Sequence, residues 1–379
     1  MPIFRRAIAA LCLAVLAIDA AAAADPGVSP GEVVIGQNIT LQGGKNAYGV
    51  AVRDGMKLYL DAVNAGGGIH GRQIVLRTLD DDNQNGTAEA NARKLVQDGA
   101  FILFGSIEGG PSGAVMKAAS ELKVPFFGPL AGAPGLRRPH QPMVFPVRAE
   151  HRDEFRALMG WGQRTGLTTV AFFHVDSAGG REHAENVRLI AQELGLKSVL
   201  PVPFKSDIGD AELDAIVRRL EQAKPDMMFN HGSAGLYARL IAKAKAAGVR
   251  TTFMAVNSGS SQIARQLGPL AQGMVFAQVV PSPWERKREI AREYQDAARR
   301  QNPDAELSYG GLEGYMTAKA LVLALRATGK DLTRANFVRT LYATRFDLGG
   351  VNVRWSPGDH EGSRFVDLSI FSRDARFVH

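Results

Sequence analysis

From residue 32 onward, short apolar runs alternate with longer stretches whose apolar residues recur every three or four positions. Val33-Val34-Ile35-Gly36 reads as a strand, and Val52, Gly55, Met56, Tyr59 and Val63 then fall on one face of a helix. Residues 72–79 read as the next strand and residues 88–96 as the next helix. Ala100-Phe101-Ile102-Leu103-Phe104 is continuously apolar, the pattern of a strand buried on both faces. Residues 112–122 return to helical spacing, and 124–127 form a short strand. The alternation then restarts, with strands at 168–174, 198–202, 226–229 and 252–256 and helices near 181–194, 210–222 and 234–247. Gly195 and Gly248 each follow a helical run, as C-terminal caps do. Residues 284–344 read as mostly helical and 364–371 as a late strand. Two such series predict an α/β fold: two Rossmann-like halves, each a parallel sheet covered by helices.

The start of the chain departs from this alternation. Arg5 and Arg6 precede a 12-residue apolar run, Ala7 to Ile18, and Ala22 and Ala24 form an A-x-A site before Asp25. That order predicts a secretory signal peptide over residues 1–24. The run is too short for a membrane span, which needs about 20 apolar residues. Phe4-Arg5-Arg6-Ala7-Ile8 matches the twin-arginine pattern poorly, so general secretion is favoured. Cys12, the one cysteine of the 379 residues, lies inside this segment and not at a cleavage site. The remaining chain therefore has no disulfide, thiol nucleophile or cysteine metal site. Its charge falls from +7 to +6, with no block of five like charges to suggest nucleic acid.

Several motifs carry less chemistry than their spelling suggests. Gly66-Gly67-Gly68-Ile69-His70-Gly71 contains G-x-G-x-x-G, but it follows a helix and precedes a strand, the reverse of a dinucleotide loop. Asp81-Asp82-Asn83-Gln84-Asn85-Gly86 begins like a calcium loop, yet Ala92 stands where a bidentate glutamate is required. It reads as a strand end and helix cap. No H-x-x-x-H or hydrolase elbow occurs, although His174, His183 and His231 fall where they could converge in a cleft. No catalytic constellation stands out, and an enzyme is not expected.

Glycine-rich loops at strand ends remain: Thr40-Leu41-Gln42-Gly43-Gly44, Ser106-Ile107-Glu108-Gly109-Gly110 and Leu130-Ala131-Gly132-Ala133. In open α/β sheets, ligands bind outside the carboxyl ends of the strands. Helices that start just after such loops offer free N–H groups to an anion.

The chain resembles the solute-binding proteins of branched-chain amino acid ABC transporters, periplasmic binding proteins of the type I fold. The likeness rests on Glu32-Val33-Val34-Ile35-Gly36-Gln37, Val63-Asn64-Ala65-Gly66-Gly67-Gly68-Ile69-His70-Gly71-Arg72 and Leu79-Asp80-Asp81. Further on it includes Val124-Pro125-Phe126-Phe127-Gly128-Pro129, Val279-Val280-Pro281-Ser282-Pro283 and Leu312-Glu313-Gly314-Tyr315. The resemblance implies two lobes joined by three crossings near Val147, Gln278 and Trp355. Lobe 1 would hold residues 25–147 and 279–355, and lobe 2 residues 148–278 and 356–379. It implies a periplasmic monomer that closes on a small-molecule ligand and delivers it to a membrane permease, with no cofactor, metal or nucleic acid. The same fold also serves as the ligand-binding component of regulatory systems.

The resemblance also implies a ligand site: Gln42, Tyr48, Ser106, Ile107, Glu108, Gly109, Leu130, Ala131 and Gly132 from lobe 1, and Asp176, Ser177, Ser233 and Asn257 from lobe 2. Relatives that bind amino acids carry hydroxyls at positions matching Gly109 and Gly132 and a tyrosine at Ala178. They carry a second aromatic near Ser233 and, at Asn257, an acid that pairs with the ligand's ammonium. Glu108 adds an acid where relatives are small or polar. Scaffold without these anchors implies a small amino-acid-like or organic-acid ligand that need not be leucine, isoleucine or valine.

Overall fold

A computed structural model describes residues 25–379 apart from residue 206, so the expected signal peptide lies outside the described residues. The first lobe follows the apolar pattern closely. β1 (Glu32–Ile39) is buried from Val33 onward, and α1 (Ala47–Ala65) buries Val52, Met56, Leu60 and Val63 in the same cluster as Val33 and Ile35. The series continues through β2 (Gln73–Asp80), α2 (Asn85–Gln97), β3 (Ile102–Phe104), α3 (Gly109–Leu122), β4 (Phe126–Phe127) and β5 (Val144–Phe145). These strands form one parallel sheet in the order β2-β1-β3-β4-β5.

The second series runs through α4 (His151–Arg164), β6 (Thr169–Val175), α5 (Ala178–Glu193), β7 (Ser198–Phe204), α6 (Asp210–Ala223), β8 (Met227–His231), α7 (Ala234–Ala246), β9 (Thr252–Ala255), α8 (Ser260–Leu267) and β10 (Val275–Gln278). The chain then returns to lobe 1 as α9 (Glu289–Gln301), α10 (Tyr309–Thr328) and α11 (Arg334–Ala343), followed by a small antiparallel sheet of β11 (Phe346–Asp347), β12 (Asn352–Ser356) and β13 (Asp359–Gly362). Finally β14 (Asp367–Phe371) and β15 (Phe377–Val378) add antiparallel strands to the second sheet, whose order is β15-β14-β10-β9-β8-β6-β7. The sequence pattern missed β5, α4, α8, β10 and the small sheet. Two- to five-residue strands carry too few positions to show a period.

The crossings are bound to one another. The Trp355 indole N–H donates to the Pro146 carbonyl at 2.8 Å, and the Ser363 amide donates to Val147 O at 2.9 Å. A Cβ on Gly362, whose φ is +78°, would come within 2.3 Å of Pro146 O, so only glycine fits. β13 pairs with β12, so the small antiparallel sheet runs on to Gly362.

Local chemistry explains the earlier motifs. Gly68 (φ +74°) lies against Arg72 O in the turn that ends α1, so the glycine run turns the chain from α1 into β2. The Asp80 carboxylate accepts from the Leu41 and Gly43 amides at 2.8 and 2.9 Å, and Asp81 accepts from Asn38 Nδ2 and Thr40 Oγ1 at 2.7 and 2.6 Å. The acidic run therefore braces the loop after β1. It does not cap α2, whose N-cap Gln84 makes no side-chain bond.

Candidate functional site

The loops after the parallel strands, the expected rim of an interlobe cleft, carry most of the candidate residues. In lobe 1, Ser106 and Ile107 are buried, and the Ser112 hydroxyl donates to Ile107 O at 3.2 Å. Glu108 follows at φ 63°, ψ 142°, a conformation strained for a side-chain-bearing residue. It is exposed, yet crowding by the surrounding protein raises its carboxyl pKa, partly offset by a bond from Asn46. Gly109 opens α3 just beyond it. Gln42 also holds positive φ, 51°, in the loop braced by Asp80. Leu130, Ala131 and Gly132 are buried; a Cβ on Gly132 would sit 2.7 Å from the His151 amide and strike its ring.

Lobe 2 rim residues are largely committed to local structure. Asp176 pairs with Arg181 at 2.7 Å, and the Ser177 hydroxyl accepts from Gly180 N–H at 3.1 Å to cap α5. Ser233 likewise caps α7, accepting from Leu236 N–H at 3.3 Å, and borders a separate 510 Å³ cavity.

The floor of the cleft is a buried network that ties the lobes together. Glu313, on α10 of lobe 1, accepts through Oε2 from the Tyr48 hydroxyl at 2.8 Å and from Asn257 Nδ2 of lobe 2 at 2.7 Å. The Asn257 amide N–H donates to Glu154 Oε2 at 2.7 Å. Arg148, at the first crossing, donates to Glu154 Oε1 and to Leu130 O at 3.0 Å, and its Nε lies 3.7 Å from Glu313 Oε1. Arg148, Glu154 and Glu313 are each no more than 1% exposed. Burial raises the pKa of both carboxyls while Arg148 pulls them down.

This geometry depends on close helix packing. A Cβ on Gly55 of α1 would lie 1.9 Å from Gly311 O, and one on Gly314 would lie 2.1 Å from Val52 O. The glycines let α1 and α10 touch backbone to backbone, and that contact delivers Tyr48 to Glu313.

Histidines fill the lobe 2 side of the floor. The His183 and His231 rings are 3.8 Å apart, and His151 lies 4.9 Å from His231 and 5.4 Å from His183. His151 Nδ1 is 2.9 Å from Glu154 Oε1. Desolvation drives the pKa of all three well below the usual histidine value. His174 stacks on Phe172 instead. Among the described residues, no group of three His, Cys, Asp or Glu is arranged to hold a metal.

A cavity of about 1460 Å³ opens beside this floor, between α1, α8, α10 and the C-terminal strands. Of the candidate residues, Tyr48 and Asn257 line it; Leu58, Trp284, Leu307 and Phe377 supply apolar wall. The structure thus brings Tyr48 and Asn257 together, through a residue absent from the candidate set. Glu313, Arg148, Glu154 and His151 escaped sequence reasoning, although Glu313 stood inside one of the resemblance segments.

The model of the family described as periplasmic binding protein matches residues 32–369. The chain belongs to that family. Its fold is the type I periplasmic binding protein fold, and members are substrate-binding proteins, not enzymes. A Leu/Ile/Val-binding protein homolog of Brucella abortus is 26% identical over 321 residues, covering 80% of this chain and 81% of the relative. Two solved structures share the fold. One is a possible leucine/isoleucine/valine-binding protein from Rhodopirellula baltica, 24% identical with a TM-score of 0.84, covering 93% of this chain and 97% of that one. The other is a fatty acid ABC transporter substrate-binding protein from Thermomonospora curvata, 18% identical with a TM-score of 0.82, covering 94% and 93%. No helix among the described residues is long and apolar enough to cross a membrane.

Proposed function

We propose that this periplasmic binding protein is the solute-capturing component of an ABC importer. It is exported by the segment over residues 1–24, acts as a monomer in the periplasm, and passes a small amino-acid-like or organic-acid ligand to a membrane permease. The observation that carries this reading is the junction of Tyr48, Glu313 and Asn257: polar side chains from both lobes meet beside a cavity large enough for a small solute. Residues 25–147 with the returning helices, and 148–278 with the last strands, act as the two jaws. Moving such a cleft from 1% to 99% closed needs about 5.5 kcal/mol of differential binding. Micromolar affinity corresponds to about 8 kcal/mol, so a modest ligand suffices and no covalent step is needed.

The ligand differs from leucine, isoleucine and valine. Asn257 stands where amino-acid-binding relatives of the resemblance carry an acid, and Ala178 and Ser233 replace their aromatics. A thermal-shift screen over amino acids, aromatic acids and short-chain acids tests the reading. A ligand at a hundredfold excess over its Kd stabilises by about 2.7 kcal/mol. Micromolar leucine binding without binding of larger acids would overturn the ligand assignment, and a screen with no stabilising solute would count against the function.

A further inference from the structure

The lobes bury separate apolar cores, one around β1, α1 and α10 and one around β8, α7 and α8. Among the described residues, Phe377 of β15 is the one partly buried apolar side chain packed against both. On the lobe 2 side its ring meets Phe276 and Phe371, each at 5.2 Å between centroids. On the other side it stacks on Trp284, in the segment returning to lobe 1, at 5.8 Å and 9°, and stands edge-on to Tyr309 at 5.4 Å. His379 repeats the bridge with polar atoms: its Nε2 lies 2.9 Å from the hydroxyl of Tyr309, which opens α10, and its Nδ1 lies 3.4 Å from Asp367 of β14. Trp284, Tyr309 and Phe377 all line the large cavity, with Trp284 43% exposed at its edge. Lobe 2 by itself holds β15 lightly. The strand pairs with β14 only through Ile370–Val378 and Phe371–Phe377, and the turn before it puts Ala375 at φ 54°, an unfavourable conformation for alanine. So short a strand at a sheet edge stays where its side chains are held.

We propose that the β14–β15 hairpin is a strap over the mouth of the cavity, with Phe377 seated against Trp284 and Tyr309 as its clasp. The lobes part at this mouth when that ring leaves its seat, so the strap sets how readily the cavity opens and a solute exchanges. Its role in exchange rests on the solute-capture reading above; its hold on the lobes does not. Another tie over the mouth, Arg265 to Glu306 at 3.8 Å, joins two exposed side chains and adds little.

Spin labels on Lys57→Cys of α1 and Gln266→Cys of α8, exposed positions in opposite lobes, read the separation by pulsed spin resonance on the purified, unliganded protein. No other cysteine competes among the described residues. Phe377→Ala raises the share of long distances about tenfold, the worth of its two ring contacts across the mouth. Tyr309→Phe keeps the ring, removes only its bond to His379 and raises that share about threefold. Val378→Ala, on the outer face of the same strand, leaves it unchanged. Wild-type distances in Phe377→Ala would overturn the strap, and so would an equal shift in Val378→Ala, which would trace the change to the hairpin as a whole. Should Phe377→Ala fail to fold, an unchanged share in Tyr309→Phe overturns it instead. No solute is present, so the outcome is separate from the thermal-shift screen that tests solute capture.

Discussion

Rim and floor of the cleft are built on opposite principles. Rim residues Glu108, Asp176, Ser177 and Ser233 are exposed and sit in loops after strands, and all but Glu108 satisfy themselves within a few residues of chain. Floor residues Tyr48, Arg148, Glu154, Asn257 and Glu313 come from five separate places and bond to one another at separations up to 265 positions. The rim can therefore change with little effect on the lobes. The floor carries the contact between the lobes, because its charges are desolvated and each needs its partner.

Arg148→Met is the most damaging way to test the contrast. It leaves Glu154 and Glu313 buried without their cation and should cost about 3–5 kcal/mol in chemical denaturation. A loss below about 1 kcal/mol, the range of exposed ion pairs, would place the floor on a par with the rim. Gly314→Ala comes next. Its Cβ would meet Val52 O at 2.1 Å and push α10 from α1, costing about 1–3 kcal/mol. It should also weaken solute binding, because Tyr48 and Glu313 separate.

The histidines sharpen the comparison through pH. Their folded pKa values lie below the unfolded value, so the unfolded chain binds more protons as pH falls through about 6.5. Stability should fall on acidification from that point by about 1.4 kcal/mol per pH unit for each histidine kept neutral. Glu154 and Glu313, with raised values, give the opposite slope where they titrate, so the histidine share is read as a difference. His183→Gln should flatten the melting-temperature profile below pH 6.5 relative to wild type; identical profiles would remove His183 from the titration.

The smallest effects belong to the rim. Ser233→Ala removes one helix cap and should cost about 1 kcal/mol. Glu108→Gln should change stability by less than about 0.5 kcal/mol while altering solute affinity, if measured by calorimetry on the best probe. Unchanged affinity would make Glu108 a solvated loop residue.

The pattern along the chain resolved most of the scaffold. Strands at residues 33–36, 72–79 and 168–174 and helices near 210–222 and 234–247 match observed elements within a few residues, since buried parallel strands and amphipathic helices carry strong periods. α4 was missed although Phe155, Leu158 and Met159 mark its apolar face, because charged residues crowd around them. The glycine run at residues 66–71 was read as a turn from element order, and it forms the turn after α1. At the site, Tyr48 and Asn257 entered through the family resemblance, whereas Glu313 was seen only as part of a motif.

From its sequence alone this protein is determined as a two-lobed α/β chain with glycine-rich loops at strand ends, because local period and turn chemistry act over short stretches of chain. Only the tertiary structure decided that the loop acids at Asp80 and Asp81 brace a loop, that three histidines meet, and that the carboxylate beside Asn257 comes from the opposite lobe. Those outcomes depend on which distant residues the glycine-lined contact of α1 with α10 brings within hydrogen-bond reach, and no local pattern in the chain records that distance.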